Sequence, residues 1–322
     1  MAQRAVYALF IILLGVAAQR ARAAESHADT SAEAGKETPS ASALQLDDMS
    51  AIETLDATDI EQLNASHSWF SHAHPAFDRA LNLMTARPNL PGDLQFIVAH
   101  RTRQGFGEER PFHDFLGFDA GGLKIGLGLR FGVVDNLDVG VYRLNGVGEI
   151  FDVYEFDGRY RFLTQENEGI DLALRVGLSW FSQRDAKDAA GYFAQLIASA
   201  VLANRVVAGA GVIYHTDSTN RGKTRADDDA TMALTGLCEV RINDMVAWDF
   251  EVAVAMLGFH ESNPSFSTGP KIITNRHTFA IVLSNSQYMS TDGIITNSKR
   301  NKIKELILGF NITREFNFGG EN

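Results

Sequence analysis

The stretch GLKIGLGLRFGVVDNLDVGVYRL, residues 122 to 144, limits the fold more than any other part of the chain. Leu123, Ile125, Leu127, Leu129 and Phe131 share one parity, and Lys124, Gly126, Gly128, Arg130 and Gly132 share the other. After Asp135 and Asn136 the alternation resumes, with Leu137, Val139 and Val141 against Asp138, Gly140 and Tyr142. A period of two sends successive side chains to opposite faces, so this segment reads as two antiparallel strands joined by a tight turn. The pattern alone leaves open which face is wet. In a soluble sheet the apolar face packs on a core; in a membrane barrel it meets lipid and the glycine-and-charge face lines a polar lumen.

The same texture recurs to the end of the chain. Strands are predicted over 93–101, 121–132, 137–143, 152–163, 171–181, 192–202, 206–215, 231–242, 246–257, 265–272, 276–284 and 304–314. Twelve is an even number, as single-chain bacterial outer-membrane barrels have. The connections sort by length: VVDN, TQENEG, ANR, NDM and TNR alternate with long polar segments such as TRQGFGEERPFHDFLGFDA and SNSQYMSTDGIITNSKRNK. Short turns at one end and long loops at the other are expected of periplasmic turns and extracellular loops. The apolar parity continues in Phe156, Tyr160, Leu174, Val176, Trp180, Trp248, Phe250, Phe279 and Ile281, whereas the opposite parity is crowded with charge. Charges that dense cannot fill a dry core, so that face is read as the lumen and the apolar face as the lipid face.

The ends fit export to an outer membrane. Residues 1–23 carry Arg4, an apolar run from Ala5 to Ala18 and an Ala21-Arg22-Ala23 cleavage pattern, which reads as a signal peptide. Residues 24–92 read as a low-complexity periplasmic extension, disordered in part, with short helices over 48–63 and over PAFDRALNLMTARPNLPG, the latter closed by Pro88 and Pro91. The barrel is assigned to 93–318. A net charge of −11, made more acidic by removing the three arginines of the leader, excludes nucleic acid as a partner. The single cysteine, Cys238, excludes a disulfide framework, and no cofactor motif is present.

Several segments resemble a bacterial outer-membrane β-barrel family catalogued as a domain of unknown function. They are HRTRQGFGEERPFHDFLGFDAGGLKIGLGLRFGVVDNLDVGVYR, YRFLTQ, HTFAIVLSNS and the ending LGFNITREF. In that family a His-Arg pair closes the first strand, here His100 and Arg101. A Phe/Leu-Gly-Leu-Asp run ends at Asp119, a glycine-valine strand ends in Arg143, and a Tyr-Arg…Gln run corresponds to Tyr160, Arg161 and Gln165. The chain departs at Thr102, where an aromatic is usual, and at Phe118, where leucine is usual. The resemblance implies a barrel in the outer membrane, with His100, Arg101, Asp119 and Arg143 at its rim, and brings no activity. The last strand, with Gly309, Phe310, Ile312, Phe316 and Phe318, also resembles the signal read by the barrel-assembly machinery.

Three groups of residues are candidates for function. The lumen charges are Lys124, Arg130, Arg159, Arg161, Arg175 and Arg241 against Asp138, Glu155, Asp157, Asp171, Glu239, Asp249 and Glu251. Their near balance disfavours strong selection for one sign of ion. They either line a narrow polar channel or pair into a network that fills the lumen, since twelve strands make a barrel only modestly wider than the eight that side chains can fill. His67, His72 and His74 are a candidate metal set that lacks a fourth ligand. His260, Ser262 and Asn263 form a His-x-Ser-Asn string that resembles the active-site stretch of outer-membrane phospholipase A, with Pro264 where that family has glycine.

The expectation is therefore a twelve-stranded antiparallel transmembrane barrel in contact with outer-membrane lipid. It serves as a narrow passive channel for small polar solutes or ions, with the loop 102–120 folding inward as a constriction. The alternatives are a non-conducting structural barrel whose N-terminal extension docks a periplasmic partner, and a hydrolase at the rim.

Overall fold

The computed structural model describes residues 78–103, 105, 123–146, 150–183, 187–203, 205–216, 230–258, 263–296 and 300–318. They form a closed antiparallel barrel of twelve strands in sequential order, with β1 hydrogen-bonded to both β2 and β12. The strands are β1 (Asp93–Thr102), β2 (Leu123–Val134), β3 (Leu137–Asn145), β4 (Ile150–Leu163), β5 (Asp171–Gln183) and β6 (Ala189–Leu202), followed by β7 (Val206–His215), β8 (Thr231–Arg241), β9 (Val246–Leu257), β10 (Ser265–Ile273), β11 (His277–Ser284) and β12 (Ile307–Asn317). A short α1 (Gln165–Glu168) lies in the β4–β5 turn, and α2 (Thr291–Thr296) lies in the β11–β12 connection.

The predicted strands are recovered with edges shifted by a few residues. The largest shift is in β12, expected over 304–314. Residues 303–305 instead make a 3-10 turn in which Glu305 accepts hydrogen bonds from the backbone of Asn301 and Lys302. The strand then runs on to Asn317 because β1 offers partners as far as Asp93. The turn between β2 and β3 is two residues long, and Asn136 takes the left-handed conformation it requires (φ 65°), which asparagine tolerates better than most residues.

The alternation resolves the two faces as expected. Leu127, Leu129, Phe156, Leu174, Val176, Trp180, Phe250 and Ile281 stand on the outside, each with more than a third of its surface open. The intervening residues, among them Arg130, Asp138, Arg159, Asp171 and Asp249, point inward and are buried.

What buries them is not side chains of the wall alone. Residues 78–89, expected in a helical extension outside the barrel, lie inside it. They form no helix: the chain bends back on itself, with a bridge between Arg79 and Met84 and hydrogen bonds from Ala80 N to Leu83 O and from Thr85 N to Asp78 O. The segment enters at the end of the short turns, where Gly92 N bonds to Gly132 O, and its tip reaches the middle of the lumen. The wall supplies the reason for the missing helix. Its inward carboxylates, guanidiniums and amides need partners once buried, and an unwound backbone provides donors and acceptors that a helix would have consumed.

The β11–β12 connection folds inward from the opposite end. Met289 packs with Ala99, Leu144, Val153 and Phe181, and Ile295 with Ile213, Ala233 and Ala253. Ile294 packs both against this second cluster and against the one that Ala80 and Leu83 of the N-terminal segment form with Val201, Val207 and Leu237, so the two inserts share apolar clusters. The barrel interior is thus a set of small apolar clusters set between charged groups.

Candidate functional site

The lumen has two charged walls with the N-terminal segment between them. On the β2–β5 wall, Arg130 bonds to Asp138 (2.7 Å) and Asp157 (2.5 Å), Arg159 to Asp138 (2.5 Å), and Arg175 to Asp157 (2.9 Å) and, at 3.9 Å, Glu155. Strand register builds this ladder. Arg130 lies opposite Gly140, which in turn lies opposite Asp157, and a Cβ at Gly140 would fall 2.6 Å from Arg130 Nη2. Glycine in the intervening strand therefore lets the guanidinium cross to the carboxylate two strands away. On the β8–β10 wall, Glu239 and Asp249 lie directly opposite each other. Lys271 bridges them at 2.7 and 2.9 Å, and Arg241 adds a contact to Glu239 at 3.2 Å.

The inserted segment is held largely through its backbone. Glu251 Oε1 accepts from the N–H groups of Leu81 (2.8 Å), Asn82 (2.6 Å) and Leu83 (2.6 Å), and Oε2 accepts from Asn82 Nδ2 (2.9 Å). Arg159 donates to the carbonyls of Asp78 (3.0 Å) and Thr85 (2.8 Å), closing the base of the bend. Lys271 donates to Arg79 O, Asn311 to Leu81 O, and Arg101 to the Asn82 side chain (2.8 Å). Further along, Ala86 N donates to Ser199, Arg87 pairs with Asp171 at 2.6 Å, and Asn89 N donates to Asp138. The other insert is tied to the first wall, where Glu155 accepts from Thr291 N (2.7 Å) and Oγ1 (3.1 Å). A cavity of about 50 Å³ remains, bordered by Leu81, Asn82, Tyr142, Arg175 and Met289; it holds a few waters at most. Among the described residues, this small cavity is what the two inserts leave between the walls at that level of the lumen.

Most of the residues singled out from the sequence fall among the described ones. Lys124, Arg130, Glu155, Asp157, Arg159, Arg175, Glu239, Arg241, Asp249 and Glu251 all point inward and are buried. Arg161 sits at the short-turn end, bonded to Asp171 (3.1 Å) and Asn136 (2.8 Å). Lys124 lies near the other end, where it donates to the carbonyls of Asn145 and Gly146. The proposed rim set divides. His100 stacks on Phe310 with ring centroids 4.8 Å apart, whereas Arg101 turns into the lumen, fully buried, to reach Asn82 and Asn311. Arg143 is half exposed and pairs with Asp152 at 2.9 Å. Asp119 and most of the loop 102–120 lie outside the described residues, as do His67, His72 and His74, and His260 and Ser262; Asn263 is half-buried beside β10. Among the described residues, the segments that fold inward are 78–89 and 285–296. Among the described residues no group of three or more His, Cys, Asp or Glu is arranged to hold a metal ion.

Among the participants that the sequence reading missed are Lys271, Ser199, Asn311, Thr291 and the inserted segment itself. Lys271 shares the inward parity of Ser265, Ser267 and Gly269, so strand phase was sufficient to find it. Thr291 and the 78–89 segment carry no such signal, because an insert's position inside a barrel leaves no periodic trace.

Solved barrels similar to this chain include the KdgM porin (8% identity, 69% of this chain and 99% of that one, TM-score 0.44) and the NanC porin (11%, 70% and 100%, 0.42). An outer-membrane channel from Pseudomonas putida F1 is similar over 71% of this chain and 97% of that one, at 10% identity and a TM-score of 0.43. No curated protein sequence matches the chain. The family model described as a membrane-bound beta barrel domain, DUF5777, matches residues 78–316. That span takes in the segment inside the lumen together with the twelve strands around it, and the chain belongs to this family.

Proposed function

We propose that the protein is a narrow outer-membrane channel for small polar solutes or ions, closed in the described state by its own inserts. The observation that carries this reading is the chemistry of the closure. Glu251, Arg159, Lys271, Ser199 and Asp138 hold the N-terminal segment by hydrogen bonds to its backbone. Water can replace such bonds at a net cost of about 1 kcal/mol for the Ser199 bond and about 1.5–3 kcal/mol for each of those to charged groups. With the segment withdrawn, both walls present charged groups to solvent, and those groups form a hydrated path. Their mixed signs favour weak ion selectivity. The reading involves no catalysis. It places residues 1–23 as a cleaved export signal and the barrel-assembly machinery as the partner in biogenesis, with residues 24–77 available to a periplasmic protein.

Single-channel recording of the refolded mature chain in a planar bilayer tests the reading, with a heat-denatured control. Rare, discrete and reproducible steps are expected. A folded barrel that stays silent across the voltage range would overturn the channel reading in favour of a non-conducting structural barrel, which the filling of the lumen from both ends supports.

A further inference from the structure

We propose that residues 78–89 form a displaceable plug and that Glu251 is its latch. This inference rests on the channel reading for its consequence, but its own physical content is separate.

The geometry at the tip sets Glu251 apart from the other wall contacts. Three consecutive N–H groups, those of Leu81, Asn82 and Leu83, converge on a single carboxylate oxygen, and the Asn82 amide reaches the other. No Lys or Arg lies within ion-pair distance of Glu251 among the described residues, so the plug's own donors stabilise its buried charge. The bend that aims the three N–H groups is closed at its base by Arg159, which binds the carbonyls of Asp78 and Thr85. Tip and base therefore reinforce each other, and the bend presents its donors only while its ends are pinned.

Beyond the tip and base the plug is tied by one buried ion pair, Arg87–Asp171, and by single bonds to Lys271, Asn311, Ser199 and Asp138, and its packing is suited to leaving. Its apolar contacts are split into three small patches: Ala80 and Leu83 on Val201, Val207 and Leu237; Met84 and Ala86 on Ala173 and Ile197; Leu81 on Ala280 and Val282. The strand hydrogen bonds that close the barrel do not involve residues 78–89, so withdrawal breaks no wall ladder. Withdrawal of Ala80 and Leu83 also removes two members of the cluster against which Ile294 of the second insert packs.

The test uses the full chain in a Cys238→Ala background, with Ala86→Cys as a reporter inside the plug and Glu251→Gln as the perturbation. Ala86 is fully buried, so a membrane-impermeant maleimide reaches the reporter thiol only when the plug has moved. Heat-modifiable gel mobility confirms that each variant is folded, and Ala80→Cys serves as a second reporter if Ala86→Cys does not fold. Glutamine keeps the shape but removes the charge, and its own amide N–H groups face the Asn82 amide. Charge-assisted bonds are about twice as strong as neutral ones, so labelling should speed up about tenfold or more. The same samples are recorded in a planar bilayer. Faster labelling together with more frequent openings supports both the latch and the channel. Faster labelling of a silent barrel keeps the latch and overturns the channel. Unchanged labelling overturns the latch, whatever the conductance.

Discussion

Replacing Asp138 by asparagine tests whether the charge ladder and the base of the plug are one structure. Asp138 is fully buried and accepts from Arg130 Nη1 (2.7 Å), from Arg159 Nη2 (2.5 Å) and Nε (3.3 Å), and from the backbone N–H of Asn89 (3.0 Å). Asparagine fits the same space but carries no charge, and its amide N–H groups would point at guanidinium donors. The two arginines are affected unequally. Arg130 retains Asp157 at 2.5 Å, whereas Arg159, fully buried, retains only the carbonyls of Asp78 and Thr85. Stranding a buried charge costs about 3–5 kcal/mol, and the two remaining carbonyls put Asp138→Asn near the lower end, about 3 kcal/mol. Arg159→Met in the same chain removes the stranded charge. It also forfeits two charge-assisted hydrogen bonds to the plug at about 1.5–3 kcal/mol each, so the double variant should be destabilised by clearly less than the sum of Asp138→Asn and Arg159→Met measured separately. Equilibrium urea unfolding in phospholipid vesicles, followed by tryptophan fluorescence, measures all three. An Asp138→Asn variant within about 0.5 kcal/mol of the parent, or a double variant whose destabilisation equals the sum of the two single ones, would refute the assignment of Arg159 as a charge neutralised by Asp138.

Two further perturbations address the lipid face and the entry of the plug. Leu127→Arg places a cation on the outer face midway along β2 and should destabilise the barrel in vesicles by about 2–4 kcal/mol; no change would mean that this face does not meet lipid. Gly132→Ala would put a methyl group 1.9 Å from the carbonyl oxygen of Leu90, where the chain turns into the lumen. It should cost about 1–3 kcal/mol in the same unfolding assay and make the bonds around residue 90 cleavable by a protease, whereas a parent-like digestion pattern would show that the entry has room to spare.

Much of the barrel was legible in the sequence because a two-residue period is a local property. Which of Lys124, Arg130, Asp138 or Glu251 faces inward depends only on strand phase, and a phase error would have placed every side chain of that strand on the wrong face. The sorting of connections by length was legible for a similar reason, since antiparallel strands in sequential order return to alternate ends. The plug was not legible. DRALNLMTAR has the residues of a short helix, and local propensity is a weak guide when tertiary contacts claim the backbone. Glu251, Arg159, Lys271 and Asn311 come from four different strands, and their demand for backbone partners exists only once the barrel has closed around them.

The sequence by itself thus determined the strand number, the two faces and the charged lining, because each follows from short-range alternation and from what lipid will accept. The tertiary structure alone decided what occupies the lumen. Closing twelve strands leaves an interior too wide for the wall side chains to fill and too dense in charge to stay dry without partners. The chain meets that demand with residues 78–89 and 285–296, segments distant in sequence that come together only inside the closed barrel.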